Sequence, residues 1–342
     1  MKKKSGSKLK INLLSALAVL LGAVLIMLIV SVLLADKRQV RAMQTTDLVQ
    51  PTALATENTP EILTEPSSTP EPTMPPTPIA AEEFGIQPTV VKASNWKNWP
   101  VLPETVSQKM IDIYLLGKEN NRNPGRFSKV GDSNSVMPSF LSCFDFGELG
   151  YVIGEYASLE PAIQNFKWSF SRDSRAAING ITAMGLDTYH TYEDEVCWPY
   201  ESPTSCEYRL WEPSIAFISL GTNDVYLKKE DFELHMRSLV QKSLDRYVVP
   251  ILVTKADNLE GDDSFNEIIA QISLDFEVPL WNLWAAMAPL PNHGLRPNDV
   301  HPSFSNDSLC DFSGADLKSY GWTVRNLTGL QALDRVWQLL NP

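Results

Sequence analysis

After residue 95 the apolar positions of this chain switch between two rhythms. Ile215-Ala216-Phe217-Ile218-Ser219-Leu220 is a short, nearly unbroken apolar run, as a parallel strand covered on both faces requires. Phe232, Met236, Leu239, Val240, Leu244 and Tyr247 then recur mostly three or four residues apart, as one face of a helix does. Val248 to Val253 predicts the next strand. Ser264 with Glu267 reads as a capping box ahead of the helical set Phe265, Ile268, Ile269 and Ile272. Val278 to Leu283 predicts a last short strand, and Leu330, Leu333, Trp337 and Leu340 stripe a closing helix. Upstream, Val106, Met110, Ile113 and Leu116 suit one helix face with Glu104 in its first turn, and Arg126 to Val130 reads as a strand. Strands alternating with helices predict an α/β domain in three layers, a parallel sheet between helices. Residues 134–175 keep no single period. Their mixture of aromatic and small residues predicts helices and an aromatic wall near the end of the first strand, although rings so placed more commonly build core.

The pattern before residue 95 is of another kind. Lys2, Lys3, Lys4, Lys8 and Lys10 make residues 1–10 a basic tail, and residues 11–35 are apolar without a polar face. Such a run is longer than a signal-peptide core and long enough to span a bilayer. With the lysines inside, it predicts a single-pass signal anchor in the cell membrane and an extracellular remainder, a cleaved signal peptide being the alternative. Residues 36–95 are then a linker. Nine of the chain's 24 prolines fall between Pro51 and Pro88, among Thr, Ser and Glu. That composition cannot bury enough surface to offset its ordering entropy, so it predicts an extended spacer. The packed domain is expected over 96–342, as a monomer.

Charge and cysteine content narrow the partners. Residues 1–42 carry eight Lys/Arg and one Asp, which leaves the other 300 residues at −19 within the chain's net −12. A surface so acidic argues against nucleic acid as a partner, and the lipid bilayer is expected to meet only the N-terminal helix. Four cysteines suit an oxidising exterior. Cys197 and Cys206 flank a Pro-rich loop and Cys143 with Cys310 would form the second bridge, though the sequence permits three pairings. No close Cys pair has a His beside it, so neither a metal nor another cofactor is expected.

Four short blocks remain, each at the predicted end of an element. Gly131-Asp132-Ser133 turns off the first strand; Gly180-Ile181-Thr182-Ala183 follows; Gly221-Thr222-Asn223-Asp224 ends the strand at Leu220; Asp299-Val300-His301-Pro302-Ser303 lies near the C-terminus. Acyl transfer from an ester needs a serine, a base to take its proton, and donors for the oxyanion. Ser133, His301, the backbone N–H of Gly180 and the side-chain amide of Asn223 can supply them. Of the other histidines, His235 falls within a helical stripe and reads as structural, while His190 and His293 lie in loops without a supporting block. Asp132 and Asp224 read as turn formers.

In this order the blocks resemble the SGNH (GDSL-type) hydrolase family over roughly residues 100–340. The resemblance implies a flavodoxin-like three-layer fold and a serine esterase acting on small-molecule or carbohydrate O-acyl esters, for instance an acetylated sugar. An O-acyltransferase, or a non-catalytic binding module on the same fold, are the alternatives. One block departs from the pattern. The family places an aspartate three residues before the histidine; here that position is Asn298, and Asp299 stands two before. Spacing favours Asn298 as the partner of His301. Charge favours Asp299, since only a carboxylate offsets the imidazolium formed during attack.

Overall fold

In the computed structural model the described residues are 92–136, 138–188, 196–305 and 308–341. The basic tail 1–10, the apolar run 11–35, nearly all of the 36–95 linker and His190 lie outside them. Among the described residues no helix is long and apolar enough to cross a membrane.

Four parallel strands build the sheet: β1 (Asn123–Gly131), β2 (Pro213–Ser219), β3 (Val249–Val253) and β4 (Leu280–Trp281), in that spatial order. Gly131 also bridges in parallel to Ala177: its N–H donates to Ala176 O at 2.8 Å, and its C=O accepts from Ile178 N at 3.0 Å. This bridge lies on the edge of β1 away from β2. Counted as a rudimentary strand, it gives the chain the order 2-1-3-4-5, in which the winding reverses between β1 and β2. That reversal is where an open α/β sheet leaves a crevice at its carboxyl edge.

The helices are α1 (Gln108–Glu119), α2 (Glu160–Asn165), α3 (Ala183–Asp187), α4 (Pro203–Trp211), α5 (Lys229–Asp245), α6 (Ser264–Phe276), α7 (Leu283–Met287) and α8 (Gly321–Leu340). α1, α2 and α7 pack on α8, while α3 packs on α4 and α5, and α5 on α6. With helices on both sides, every residue of β2 and β3 is buried, which is why β2 could be read as an unbroken apolar run. The core on the α8 side is aromatic: Phe217 meets Phe127, Phe140 and Trp281 edge-on at 5.7–5.9 Å.

Several boundaries differ from the expectation, each for a local reason. α1 starts behind Ser107, whose hydroxyl accepts from Met110 N, so Glu104 lies outside the helix. Its buried residues are Met110, Tyr114 and Gly117, and Leu116 is exposed. The capping box does not form. Asp263, in the left-handed region at φ 54°, takes the N-cap place and pushes Ser264 one position into α6. The last strand is only two residues long because Asn282 accepts from Ala285 N and turns the chain at once into α7. The aromatic stretch is core rather than a wall over the site: short 3-10 turns and α2 carry Phe140, Phe144, Phe166 and Phe170 into the interior. Of the three pairings the cysteines permit, the structure has Cys143–Cys310 and Cys197–Cys206.

Candidate active site

The site begins where β1 ends. A Cβ at Gly131 would lie 2.3 Å from Ser135 Oγ and 2.5 Å from Ser219 O, so only glycine fits between the following turn and β2. Asp132 is extended at φ −89° and its Oδ1 accepts from Asn134 N at 2.9 Å, which folds Ser133–Ser135 into a single 3-10 turn. Asn134 and Ser135 are buried by it, and Ser133 is left partly open at the crevice. Alanine at Gly131 should therefore push the turn away from β2. Overpacking of this kind costs about 1–3 kcal/mol, so Gly131→Ala should lower Tm by several degrees. Gly314→Ala is the control, because nothing lies within 4 Å of a Cβ there. Equal Tm of the two variants in a thermal melt would refute the packing account.

His301 arrives from the loop between α7 and α8. Leu295 pairs antiparallel with Pro302, Arg296 N donates to His301 O, and Ser303 is bonded to both Gly294 and the first turn of α8. The loop is thus pinned at both ends. His301 Nε2 lies 2.9 Å from Ser133 Oγ, and Nδ1 lies 2.6 Å from Asp299 Oδ1. The amide of His301 donates to the same carboxylate oxygen at 3.0 Å. These two hydrogen bonds hold the Asp299 carboxyl below its ordinary value. An ionised carboxylate only accepts, so Nδ1 carries the ring proton and Nε2 is left to accept from Ser133. Arg296 Nη2 takes the other carboxylate oxygen at 2.6 Å. Asn298 is exposed, with φ 54°, and bonds to neither His301 nor Ser133.

The remaining two candidates come from the flanking loops. Gly180 has φ 74°, a conformation that side-chain-bearing residues rarely adopt, and nothing lies within 4 Å of where a Cβ would be. Asn223 stands at the N-cap of the turn Asp224–Tyr226, but its side chain does not cap it. Instead Nδ2 donates to Ile181 O at 3.1 Å and reaches Asp132 Oδ2 at 3.5 Å, tying the Gly180 loop to the Ser133 turn. Asp224 reinforces this seam by accepting from Ala183 N at 2.8 Å and Gly221 N at 3.2 Å. Burial pushes the carboxyls of Asp132 and Asp224 up to about 6, against the hydrogen bonds they accept. Ser133, His301 and Asp299 are therefore in contact, Gly180 and Asn223 flank the turn, and Asn298 stands apart. Arg296 escaped the sequence reading, although its place three residues before Asp299 was a usable signal.

The other two described histidines are engaged elsewhere: His235 Nδ1 pairs with Asp187 at 2.8 Å, and His293 packs edge-on against Trp284. Among the described residues the one group with metal-ligand spacing is Cys197, Glu201 and Cys206, and both sulfurs are spent in the disulfide.

No protein-family model matches the chain, and no curated protein matches it. Solved structures do. A protein of the lipolytic G-D-S-L family from Desulfitobacterium hafniense is 14% identical with a TM-score of 0.38, over 61% of this chain and 99% of that one. An acetylxylan esterase from Geobacillus stearothermophilus is 18% identical with a TM-score of 0.37, over 61% and 93%. A GDSL-like lipase from Bacteroides thetaiotaomicron is 13% identical with a TM-score of 0.38, over 66% and 99%.

Proposed function

We propose that this chain is a serine esterase acting through an acyl-enzyme on Ser133. The observation that carries the reading is the unbroken hydrogen-bonded line from Ser133 Oγ through the His301 ring to Asp299, at 2.9 and 2.6 Å. As Ser133 Oγ attacks an ester carbonyl, its proton passes to Nε2, and the imidazolium is balanced by Asp299 across Nδ1–H. The carbonyl oxygen becomes an oxyanion beside the N–H groups of Ser133 and Gly180, and the Asn223 amide, keeping one hydrogen on Ile181 O, turns the other toward it from the long 3.5 Å contact with Asp132. The proton on Nε2 then leaves with the alcohol. Water, deprotonated by the same nitrogen, releases the acid.

The substrate we propose is a small-molecule or carbohydrate O-acyl ester, an acetylated carbohydrate being the first to test. Membrane anchoring through 11–35, with the domain held outside on the 36–95 linker, is part of the same proposal. It is supported by the apolar run, the proline content and four cysteines paired in two disulfides. Labelling with a fluorophosphonate and a screen over acetylated sugars, short aryl esters and long-chain lipid esters test it. Wild-type protein should be labelled at Ser133, and Ser133→Ala should lose label and at least about 10³-fold in kcat. Folded wild-type protein that stays unlabelled would favour a binding module instead.

A further inference from the structure

We propose that Arg325, buried behind the nucleophile turn, is a positioning residue that acts on Ser133 and Asn223 through Asp132. The inference rests on the esterase reading above.

Arg325 lies in the first turns of α8 and is 2% exposed. Its guanidinium is surrounded by rings, with Phe140 at 4.7 Å, Trp281 at 5.5 Å and Trp322 at 5.9 Å. Nη2 donates to Ser219 Oγ at 3.1 Å, and Nε is buried without a partner. The side-chain partner of its guanidinium is thus a neutral hydroxyl. Burying a charge beside one neutral hydroxyl is costly, and an apolar side chain would fill an aromatic cage at less cost. Packing alone therefore does not account for the cation.

Its place does. Ser219 is the last residue of β2 and pairs with Gly131, and Ser219 O and Ser135 Oγ both lie within 2.5 Å of one point above Gly131. The guanidinium is thus bonded to the strand end that pairs with Gly131, the residue before Asp132. Asp132, 2% exposed, is the acid whose charge supports Arg325, and Arg325 in turn draws the Asp132 carboxyl down against the rise that burial imposes. The other groups facing Asp132 do not replace it. Asp224, after β2, and Asp257, after β3, are like charges, Asp257 being already paired with Lys255 at 2.8 Å. His301 is a cation only when protonated.

Asp132 needs its charge for two contacts. One oxygen holds Asn134 N and so the turn; the other faces the Asn223 amide. A protonated carboxyl would aim an O–H at one of these donors. Arg325 therefore sets the pH down to which the nucleophile turn and the Asn223 amide stay aligned.

The test is the pH profile of kcat/KM on a soluble aryl ester. Arg325→Met should move the acidic limb up by one pH unit or more, with activity returning to within a few-fold of wild type near pH 9. Arg325→Lys should move it by less than half as much. In an Asp132→Asn background, Arg325→Met should shift the limb by under 0.3 unit. An unmoved limb, or an equal shift in both backgrounds, would overturn the proposal, the second because it would mean a direct effect on His301. If Arg325→Met does not fold, Arg325→Gln takes its place, since it can still donate to Ser219. Folding of Arg325→Met only when combined with Asp132→Asn would support the coupling, and failure of both single variants and the pair would overturn it. Should wild-type Ser133 resist fluorophosphonate, the esterase reading fails by itself, and the coupling is read from Tm against pH. Asp132 titrates higher when folded than when unfolded, so it makes stability fall as pH rises from about 4 to 6. Arg325→Met should extend that fall to higher pH, and not in the Asp132→Asn background.

Discussion

Asp299→Asn should lower kcat by up to about 10⁴-fold, while Asn298→Ala should leave it within about twofold of wild type. Asp299 Oδ1 accepts from both the ring Nδ1 and the backbone N–H of His301, so its oxygen fixes the ring's tautomer and its tilt together. An amide in that place can turn its NH₂ toward Nδ1. The ring proton would then move to Nε2, and Ser133 would face a donor where it needs an acceptor. Arg296, paired with Oδ2, would also lose its charge partner and no longer brace the loop. Asn298 makes none of these contacts. Steady-state kinetics on one ester with both variants decides it; a large loss in Asn298→Ala with a small one in Asp299→Asn would return the role to the position three before the histidine. The same assay should find Asp299→Glu far below wild type, because a longer side chain cannot reach ring and amide of the same residue at once.

Removing Cys143–Cys310 should destabilise the domain about twice as much as removing Cys197–Cys206. The two bridges close loops of very different length, with sequence separations of 167 and 9. Loop-closure entropy puts them at about 5 and about 2.5 kcal/mol respectively, upper values because relaxed native packing recovers part of the loss. For a domain of this size that is a Tm drop of about 10–20 °C against about 5–10 °C. The long bridge also lies where Val152 and Phe312 exchange backbone hydrogen bonds with the opposite segment, so its loss should loosen the stretch after His301. Calorimetry of the two double-alanine variants, with activity measured at low temperature, reads both effects. Equal Tm losses would show that local packing at Cys206, fully buried in α4, outweighs chain entropy.

The parts of this site that the sequence disclosed are those where a backbone demand selects the residue type. Gly131 has no room for a Cβ, Gly180 has a positive φ, and Asp132 closes its turn through its own side chain, so each leaves a short local signature. The choice between Asn298 and Asp299 was not settled by spacing, because the loop is left-handed at 298 and a count of residues assumes a regular path. Arg325 was invisible for a different reason. A lone arginine on a striped helix reads as a surface position, and the rings that bury it come from residues 140, 281 and 322, far apart in the chain. The aromatic stretch of residues 134–175 showed no single period because short irregular turns, not a long helix, carry rings such as Phe144 into the core, the place such rings more commonly take. The failed capping box shows how a single left-handed residue, Asp263, can undo a sound local motif.

Asn282 has a mechanical consequence. Its side chain donates to Trp96 O and Trp99 O, and its backbone N–H to Val101 O, so the first described residues are moored to the end of β4. β4 is the sheet edge farthest from β1, three strand spacings or about 14 Å from the nucleophile strand. A pull arriving along the chain from before Trp96 is therefore taken up at that far edge, and β1 with Ser133 stays out of the line of force.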